Sequence, residues 1–295
     1  MDITKQYEEQ QEAIRLNSKV ESFIANFQIG TLLNKCGVRK MRGTSPLTLF
    51  SAIFMLPFAG NNFFRGIVQN DSLPFGKDAA YDLLNNPRHN WRRFMLCLVV
   101  KVVGFFSLLT SEDREKVLVI DDSTYDRGRS KVVELLAWIF DHNSGRNLKG
   151  FKLLTLGWSD GASFLPLDFI LLSSANAKKR VQGIKKQLDK RIVGHKRRVE
   201  AMTKSTAHLE DMVKRVLSLG VKADYLLMDS WFCWPSILAK LGKHLPVICM
   251  GKDMPKLFYR YQGKTSRLGA LYSRLKKRPG KARILASVVA ETTAG

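Results

Sequence analysis

Apolar side chains in the first part of the chain recur with the spacing of amphipathic helices. Ile14 and Phe27 lie on related faces of residues 7–32, which predicts a helix there. Ser45-Pro46 predicts the start of the next helix, because proline is tolerated in a first turn. Both patterns indicate that the chain begins with helices.

Two further helices are predicted at residues 79–84 and 91–106, joined by a short polar turn. Such a pair can read DNA, and Arg92 and Arg93 would then meet phosphates near the start of the second helix. Ordinary helical packing explains the pair equally well. We expect an all-helical region over residues 1–112 that serves DNA binding.

From residue 116 the pattern changes to short apolar runs, which are typical of strands. The runs are residues 116–121, 150–158, 163–172, 225–228 and 246–250. Helical patterns at 200–219 and 235–241 precede the fourth and fifth runs. A three-strand meander followed by alternating helix and strand predicts an α/β fold, an RNase H-like mixed sheet flanked by helices. We assign this core to residues 113–255.

The remaining residues, 256–295, show a less regular pattern. Strands are predicted at residues 257–261, 266–275 and 282–290, with a basic turn at 276–280 before the last of them.

Charge narrows the class of partner. The chain has 295 residues, with 48 Lys and Arg against 26 Asp and Glu, a formal net charge of +22. Such a surplus favours polyanions. We expect nucleic acid rather than a membrane surface, because the basic residues are spread over several segments instead of one amphipathic face.

Two other features exclude classes of protein. Residues 43–64 carry no charge, but their apolar centre, 47–58, is too short to span a bilayer, so we expect a buried helix and no membrane contact. The four cysteines are scattered and form no C-x-x-C pair. This argues against a zinc site or a disulfide framework and fits a reducing compartment.

Two predicted strands end in carboxylates. Asp121 and Asp122 follow the first apolar run, and Asp229 follows the fourth. The first and fourth strands of an RNase H-like sheet lie side by side, so these acids would meet. Mg²⁺ takes oxygen ligands and keeps several waters, so a few carboxylates suffice, and two such ions can drive phosphodiester cleavage. The sequence predicts a divalent metal site beside a nucleic-acid backbone, although an Asp after a strand is also a common turn residue.

The choice between Asp121 and Asp122 stays open. Alternation along the strand puts them on opposite faces, and both faces are apolar in the preceding residues. We take Asp122 as the ligand and keep Asp121 as the alternate.

The two acidic motifs resemble those of DDE transposases of the insertion-sequence-4 group of bacterial mobile elements. The resemblance lies in Val-Leu-Val-Ile-Asp-Asp-Ser-Thr, in Leu-Leu-Met-Asp-Ser-Trp-Phe, and in Gly150-Phe151-Lys152 at the start of the second strand. It implies a Mg²⁺ enzyme, with Mn²⁺ as substitute, that cuts DNA at element ends and joins them to a target. By this resemblance Asp122 and Asp229 take the two Asp positions of the metal-binding triad.

The chain departs from the group at the third carboxylate. The group's Tyr-x2-Arg-x3-Glu-x6-Lys motif is absent, and Glu291 is the only Glu after Glu210. No third carboxylate is therefore identified. We interpret residues 256–295 as the start of a strand-rich insertion that the chain does not complete, and the chain as a fragment of an enzyme.

Several basic and aromatic residues are candidates for DNA contact. Residues 178–198 hold ten Lys or Arg and one acid, which gives salt-dependent phosphate binding or a solvated helical face. Trp231, just after Asp229, either stacks on a displaced base or belongs to the core. Besides Arg92 and Arg93, the candidates are Arg146, Lys149, Lys178, Lys179, Arg180, Lys185, Lys186, Arg197, Arg198 and Trp231.

Two functions remain in view. The first is a cytoplasmic, nucleoid-associated transposase acting on terminal inverted repeats and target DNA, with room for a homodimer on the DNA. The second is a non-catalytic DNA-binding relic, or a competitor of the intact enzyme. Cleavage of a terminal-repeat duplex separates the two.

Overall fold

The computed structural model describes residues 3–39, 42–278, 280 and 284–292. The chain forms two compact units. The first, here the helical unit, comprises Met1–Leu109, Val132–Leu135 and Gln182–Met202. The second, here the sheet unit, comprises Thr110–Lys131, Leu136–Val181 and Thr203–Gly295.

The helical unit contains six α-helices among its described residues. They are α1 Ile3–Asn26, α2 Ile29–Lys35, α3 Pro46–Met55, α4 Lys77–Asn85, α5 Trp91–Leu109 and α6 Val193–Ala201. A π-helical turn, Phe64–Val68, lies between α3 and α4. The centre of the core includes Ile29, Leu33, Val38 and Leu49, all buried. Burial of such apolar side chains is the main force that holds short helices together.

Local chemistry explains two of these boundaries. Gln28 adopts a left-handed backbone (φ 53°), which interrupts the helix predicted over residues 7–32 and divides it into α1 and α2. The predicted start at Ser45-Pro46 is confirmed: the Ser45 hydroxyl accepts the Thr48 N–H at 3.1 Å, and Pro46 opens α3. A capping hydroxyl of this kind satisfies one of the free N–H groups of a first turn.

The sheet unit is built on a mixed sheet. Its strands are β1 Val117–Asp126, β2 Ala137–Asp141, β3 Arg146–Ser159, β4 Phe164–Leu172, β5 Tyr225–Met228 and β6 Val247–Cys249. The main order is β4-β3-β1-β5-β6, and β2 pairs with the first residues of β3. Strands β1, β3 and β4 form the antiparallel meander, whereas β5 and β6 run parallel to β1. This is the predicted RNase H-like arrangement.

Two helices connect the parallel strands. They are α7, Leu209–Leu217, and α8, Pro235–Leu241. The single helix predicted over residues 200–219 is wrong: α6 ends at Ala201, a 3-10 turn follows at Ser205–Ala207, and then α7 begins. Helices α6 and α7 belong to different units. The apolar spacing over residues 200–219 did not reveal the break between these helices.

Strand β2 was missed for a physical reason. Ala137 and Ile139 are buried, but Trp138 and Phe140 on the alternate positions are large exposed aromatics. The strand therefore lacks the contrast between polar and apolar positions on which a period-2 pattern depends.

The last part of the sheet unit differs from expectation. It contains β7 Tyr259–Tyr261, β8 Lys264–Ser266, α9 Leu268–Arg274 and β9 Glu291–Thr292, with sheet order β8-β7-β9. The strand predicted at 266–275 is wrong, because Leu268, Leu271 and Tyr272 repeat at helical spacing and Leu271 is buried. The turn at 276–280 and the strand at 282–290 lie partly outside the described residues, and 284–290 form no strand.

Residues 43–64 contain the ten-residue helix α3. Across the described ranges, no helix has the length and apolar character needed to cross a membrane.

Candidate active site

The parallel pairing of β1 and β5 places the acidic residues of the two strands side by side. Strand β1 continues beyond the predicted end at Asp121 to Asp126, so Asp121 and Asp122 lie in its middle, whereas Asp229 directly follows β5. Leu118 pairs with Leu226 and Ile120 with Met228, and all four side chains are buried. This apolar ladder fixes the register of the two strands, because a one-residue slip would turn the buried set outward. The carboxylates follow directly after the last pair.

Asp121 and Asp229 are equivalent positions in this register. Each is the first residue beyond the Ile120–Met228 pair, and Asp229 keeps an extended backbone (φ −68°, ψ 158°). Alternation therefore places these two side chains on the same face of the sheet. Both are exposed.

Each of these two carboxylates is held by the N–H of the next residue. Asp121 Oδ1 accepts the Asp122 N–H at 2.8 Å, and Asp229 Oδ1 accepts the Ser230 N–H at 2.5 Å. The second bond also begins the 3-10 turn Ser230–Phe232. The backbone thus orients both carboxylates beside the last pair of β1 with β5.

Asp122 lies on the other face, with Ile120. Lys152 of β3 donates to both of its carboxylate oxygens at 3.2 Å, and both side chains are largely buried. The contact is possible because Lys152 pairs with Thr124, on the same face of β1 as Asp122. An ammonium therefore stands against the Asp122 carboxylate, where a metal cation would also be attracted.

A cavity of about 970 Å³ opens beside Asp122 and Lys152. Exposed aromatic residues line it, among them Trp138 and Phe140 of β2 and Trp231 after β5. Thr124 Oγ1 donates to Asp141 Oδ1 at 2.8 Å, which ties the end of β2 to β1. Because β2 was not predicted, sequence reasoning missed its contribution to this cavity.

The donor chemistry fits a hard cation. Asp121, Asp122 and Asp229 offer only oxygen, and Mg²⁺ is usually bound through one or two carboxylates with waters completing its shell. Within the described residues, no group of three His, Cys, Asp or Glu side chains lies close enough to hold a metal ion. The agreement with a hard cation is therefore one of donor chemistry.

Glu291, the late acidic residue, lies in the small sheet on β9. Its side chain is exposed and is 4.0 Å from Arg260 of β7. Glu210 on α7 instead lines the cavity beside Asp122. Hydrogen bonds from Lys214 and then His244 lower the pKa of Glu210 to about 2, so it is held as an ion-paired carboxylate. In the sequence, the only signal that could have pointed to Glu210 is its position on the predicted helix that precedes the strand ending before Asp229.

Two of the predicted DNA contacts begin α5 and have different surroundings. Arg92 is 6% exposed and donates to both oxygens of Glu200 at 3.1 and 3.0 Å, which joins α5 to α6. Arg93 is exposed. A phosphate can reach Arg92 only if the pair with Glu200 opens.

The basic stretch 178–198 crosses the division between units. Lys178, Lys179 and Arg180 belong to the sheet unit, and Lys179 lines the cavity. The other predicted contacts in this stretch belong to the helical unit: Lys185, Lys186, Arg197 and Arg198.

Carboxylates already neutralise part of the stretch in the helical unit. Arg198 binds Glu134 at 2.6 Å, and Arg197 binds Glu200 at 2.8 Å. Elsewhere, Arg146 is exposed at the start of β3, and Lys149 is half-buried on the same strand. Trp231 is exposed, with Lys252 Nζ 5.0 Å from its ring centroid.

Comparisons with known proteins bear on this site. Among solved structures, the chain is similar to the Drosophila P element transposase strand transfer complex, with 11% identity and a TM-score of 0.31. The similarity covers 84% of this chain and 53% of that one, so the chain spans about half the length of the protein it matches. No curated protein matches. The family model described as DDE superfamily endonuclease matches residues 48–252, a stretch that contains Asp121, Asp122 and Asp229. Since this is more than half of the chain, the protein belongs to the DDE superfamily of endonucleases.

Proposed function

We propose that this protein is a DNA transposase of a bacterial insertion sequence, of the insertion-sequence-4 group, that cleaves and joins DNA at terminal inverted repeats. The observation that carries the proposal is the pairing of β1 with β5, in which Asp121 and Asp229 each follow directly after the last pair, Ile120 with Met228. Membership of the endonuclease family and the net charge of +22 support a DNA substrate.

Asp122 and Asp229 are the proposed metal ligands, with Asp121 as the alternate to Asp122. The register favours Asp121 as the neighbour of Asp229, whereas the cavity and Lys152 favour a role for Asp122. When bound, Mg²⁺ or Mn²⁺ would activate the attacking oxygen and stabilise the leaving one.

Lys152 has a proposed role in neutralising the Asp122 carboxylate until DNA binds. Its ammonium neutralises the Asp122 carboxylate, which would otherwise be a partly buried charge without a counterion. A DNA phosphate entering the site offers the ammonium a second anionic partner. Lys152 can then transfer its pairing from Asp122 to the phosphate and leave the carboxylate oxygens available.

A nicking assay tests the proposal. The substrate is a terminal-repeat duplex taken from the DNA that flanks the gene, with Mg²⁺ or Mn²⁺. Asp229→Asn should reduce cleavage at least about 100-fold, because it removes a metal ligand while keeping the size of the side chain. Asp211→Asn, on the exposed side of α7, is the matched control and should cleave like the wild type. Equal cleavage by the wild type and Asp229→Asn would contradict the assignment.

A second function has one observation in its favour. Among the described residues no third carboxylate joins the strand-end acids, so a DNA-binding protein without catalysis, a relic or a competitor of the intact transposase, is the alternative. It predicts salt-dependent binding of the terminal repeat without cleavage in either metal. Cleavage that Asp229→Asn abolishes would rule it out.

A further inference from the structure

We propose that the cavity beside Asp122 binds unpaired nucleotides of a DNA strand, as a stacking site for bases. The inference rests on the proposed function in taking DNA as the ligand. It adds a distinct binding step, and the residues that perform it are not the candidate metal ligands.

The cavity walls are aromatic to an unusual degree. Trp138, Phe140, Trp231 and Trp234 all line it, and each is between 45% and 49% exposed. Side chains of this size are usually much more buried. Two of the four come from β2 and two from the segment that follows β5, so separate parts of the sheet unit supply rings to one space.

Three of the four rings have contacts within the protein that hold them in place. His142 packs against Phe140 at 5.0 Å and against Trp231 at 5.2 Å between ring centroids. The Trp234 indole donates to the Trp231 carbonyl at 3.1 Å. Rings that already sit in one geometry lose little conformational entropy on binding.

The charge around the rings favours an anionic chain. Lys152, Lys179, Lys204 and Lys240 line the cavity. Its two carboxylates, those of Asp122 and Glu210, are paired with Lys152 and with Lys214 and His244 respectively. Proteins that bind single-stranded nucleic acid combine basic grooves with aromatic platforms in this way.

Geometry selects unpaired bases over a double helix. A duplex presents its bases to a protein only as edges in the grooves, whereas stacking on an aromatic ring requires the face of an unpaired base. A volume of about 970 Å³ is at the upper end of the range of ligand pockets and takes a few nucleotides of one strand. Since Asp122 and Lys152 line the same cavity, a strand bound there would run beside the Asp122 carboxylate.

The test compares binding of a fluorescently labelled DNA hexamer, oligo(dT), with binding of a hairpin duplex of the terminal repeat. Trp138→Ala and Trp231→Ala should each weaken hexamer binding about tenfold, since one lost stack has an effect of that order. Tyr272→Ala removes an exposed aromatic that lies on α9 and does not line the cavity, and it should bind the hexamer like the wild type. Trp231→Phe keeps a ring and should retain most of the binding.

Several outcomes would overturn the inference. The inference is wrong if the Trp variants keep the wild-type melting temperature and still bind the hexamer like the wild type. It is also wrong if a hairpin duplex displaces the hexamer completely at equal affinity, or if an RNA hexamer binds more tightly than the DNA. Failure of the proposed function is distinguishable: loss of hexamer binding in the Trp variants, without nicking by the wild type in any metal, supports the cavity and contradicts the transposase.

Discussion

The paired arginines of the helical unit and two acidic residues of the sheet unit are held in different ways. In the helical unit, Arg92 is buried against Glu200, and Arg198 is held by Glu134. In the sheet unit, Asp121 and Asp229 rest on backbone N–H groups at an exposed edge. Net charge alone therefore does not locate a nucleic-acid surface: a basic residue that is paired with a carboxylate contributes to stability before it contributes to binding.

The largest expected effect comes from removing an arginine that the helical unit has paired. Arg92→Ala leaves Glu200 without its main partner between α5 and α6, and breaking such a pair typically costs about 3–5 kcal/mol. Urea unfolding should show a loss at the lower end of that range, because Glu200 also contacts Arg197.

Arg93→Ala is the control for this prediction, since Arg93 is its exposed neighbour. It should change the free energy of unfolding by less than about 0.5 kcal/mol. Equal effects of the two variants would show that the pair of Arg92 with Glu200 is not the source of stability.

A smaller loss is expected where β3 passes close to β1. A Cβ at Gly150 would collide with the Tyr125 carbonyl oxygen, so the strand can approach only with glycine at this position. Gly150→Ala should lower the free energy of unfolding by about 1–3 kcal/mol. Gly104→Ala, in α5 where a Cβ meets nothing, should be neutral or slightly stabilising, and a similar loss there would contradict the explanation.

In the sheet unit, the variant Lys152→Met tests whether Asp122 binds the metal. Removing the ammonium from Asp122 should strengthen Mn²⁺ binding about tenfold, because a competing cation is lost. Lys149→Met on the same strand is the control and should have little effect. Calorimetric titration that finds no change in Lys152→Met would point to Asp121 as the ligand.

The smallest effect concerns a carboxylate that the sheet unit uses for structure. Asp160, in the turn between β3 and β4, accepts hydrogen bonds from Thr110, Ser163 and Ala162, and the Thr110 hydroxyl is the main reason that its pKa falls to about 2. A depressed folded-state pKa stabilises the fold above the unfolded value of 3.8, and that stability disappears as the pH falls towards 2.

Thr110→Val should raise the pKa of Asp160 and move the start of acid unfolding to higher pH. Acid titration followed by circular dichroism measures the shift. An unchanged acid transition would show that this hydrogen bond does not set the pKa.

Whether a feature could be predicted from the sequence depends on how far apart in the chain the interacting residues lie. The pairing of β1 with β5 beside their acidic residues was predictable, because each apolar run leads directly into an Asp, and the order of strands then makes the two runs neighbours. The continuation of β1 to Asp126 was not predicted. The Ser45 cap was predictable because it acts over three residues.

Other features could not be predicted from one sequence. The pairing of Arg92 with Glu200 joins side chains 108 positions apart, and no local pattern marks it. The cavity depends on β2, whose exposed Trp138 and Phe140 hide its alternation. Helix α9 was predicted as a strand although Leu268, Leu271 and Tyr272 have helical spacing, because the spacing in such a short apolar run does not distinguish a helix from a strand.

Mn²⁺ titration followed by electron paramagnetic resonance tests the central claim, that a carboxylate of β1 and Asp229, which follows β5, hold one metal site together. We predict a saturable site in the wild type, with affinity at least about tenfold weaker in Asp229→Asn and in either Asp121→Asn or Asp122→Asn, and unchanged in Asp211→Asn. A wild-type protein without a saturable site would contradict the claim. So would one whose affinity survives Asp229→Asn or both of the β1 variants.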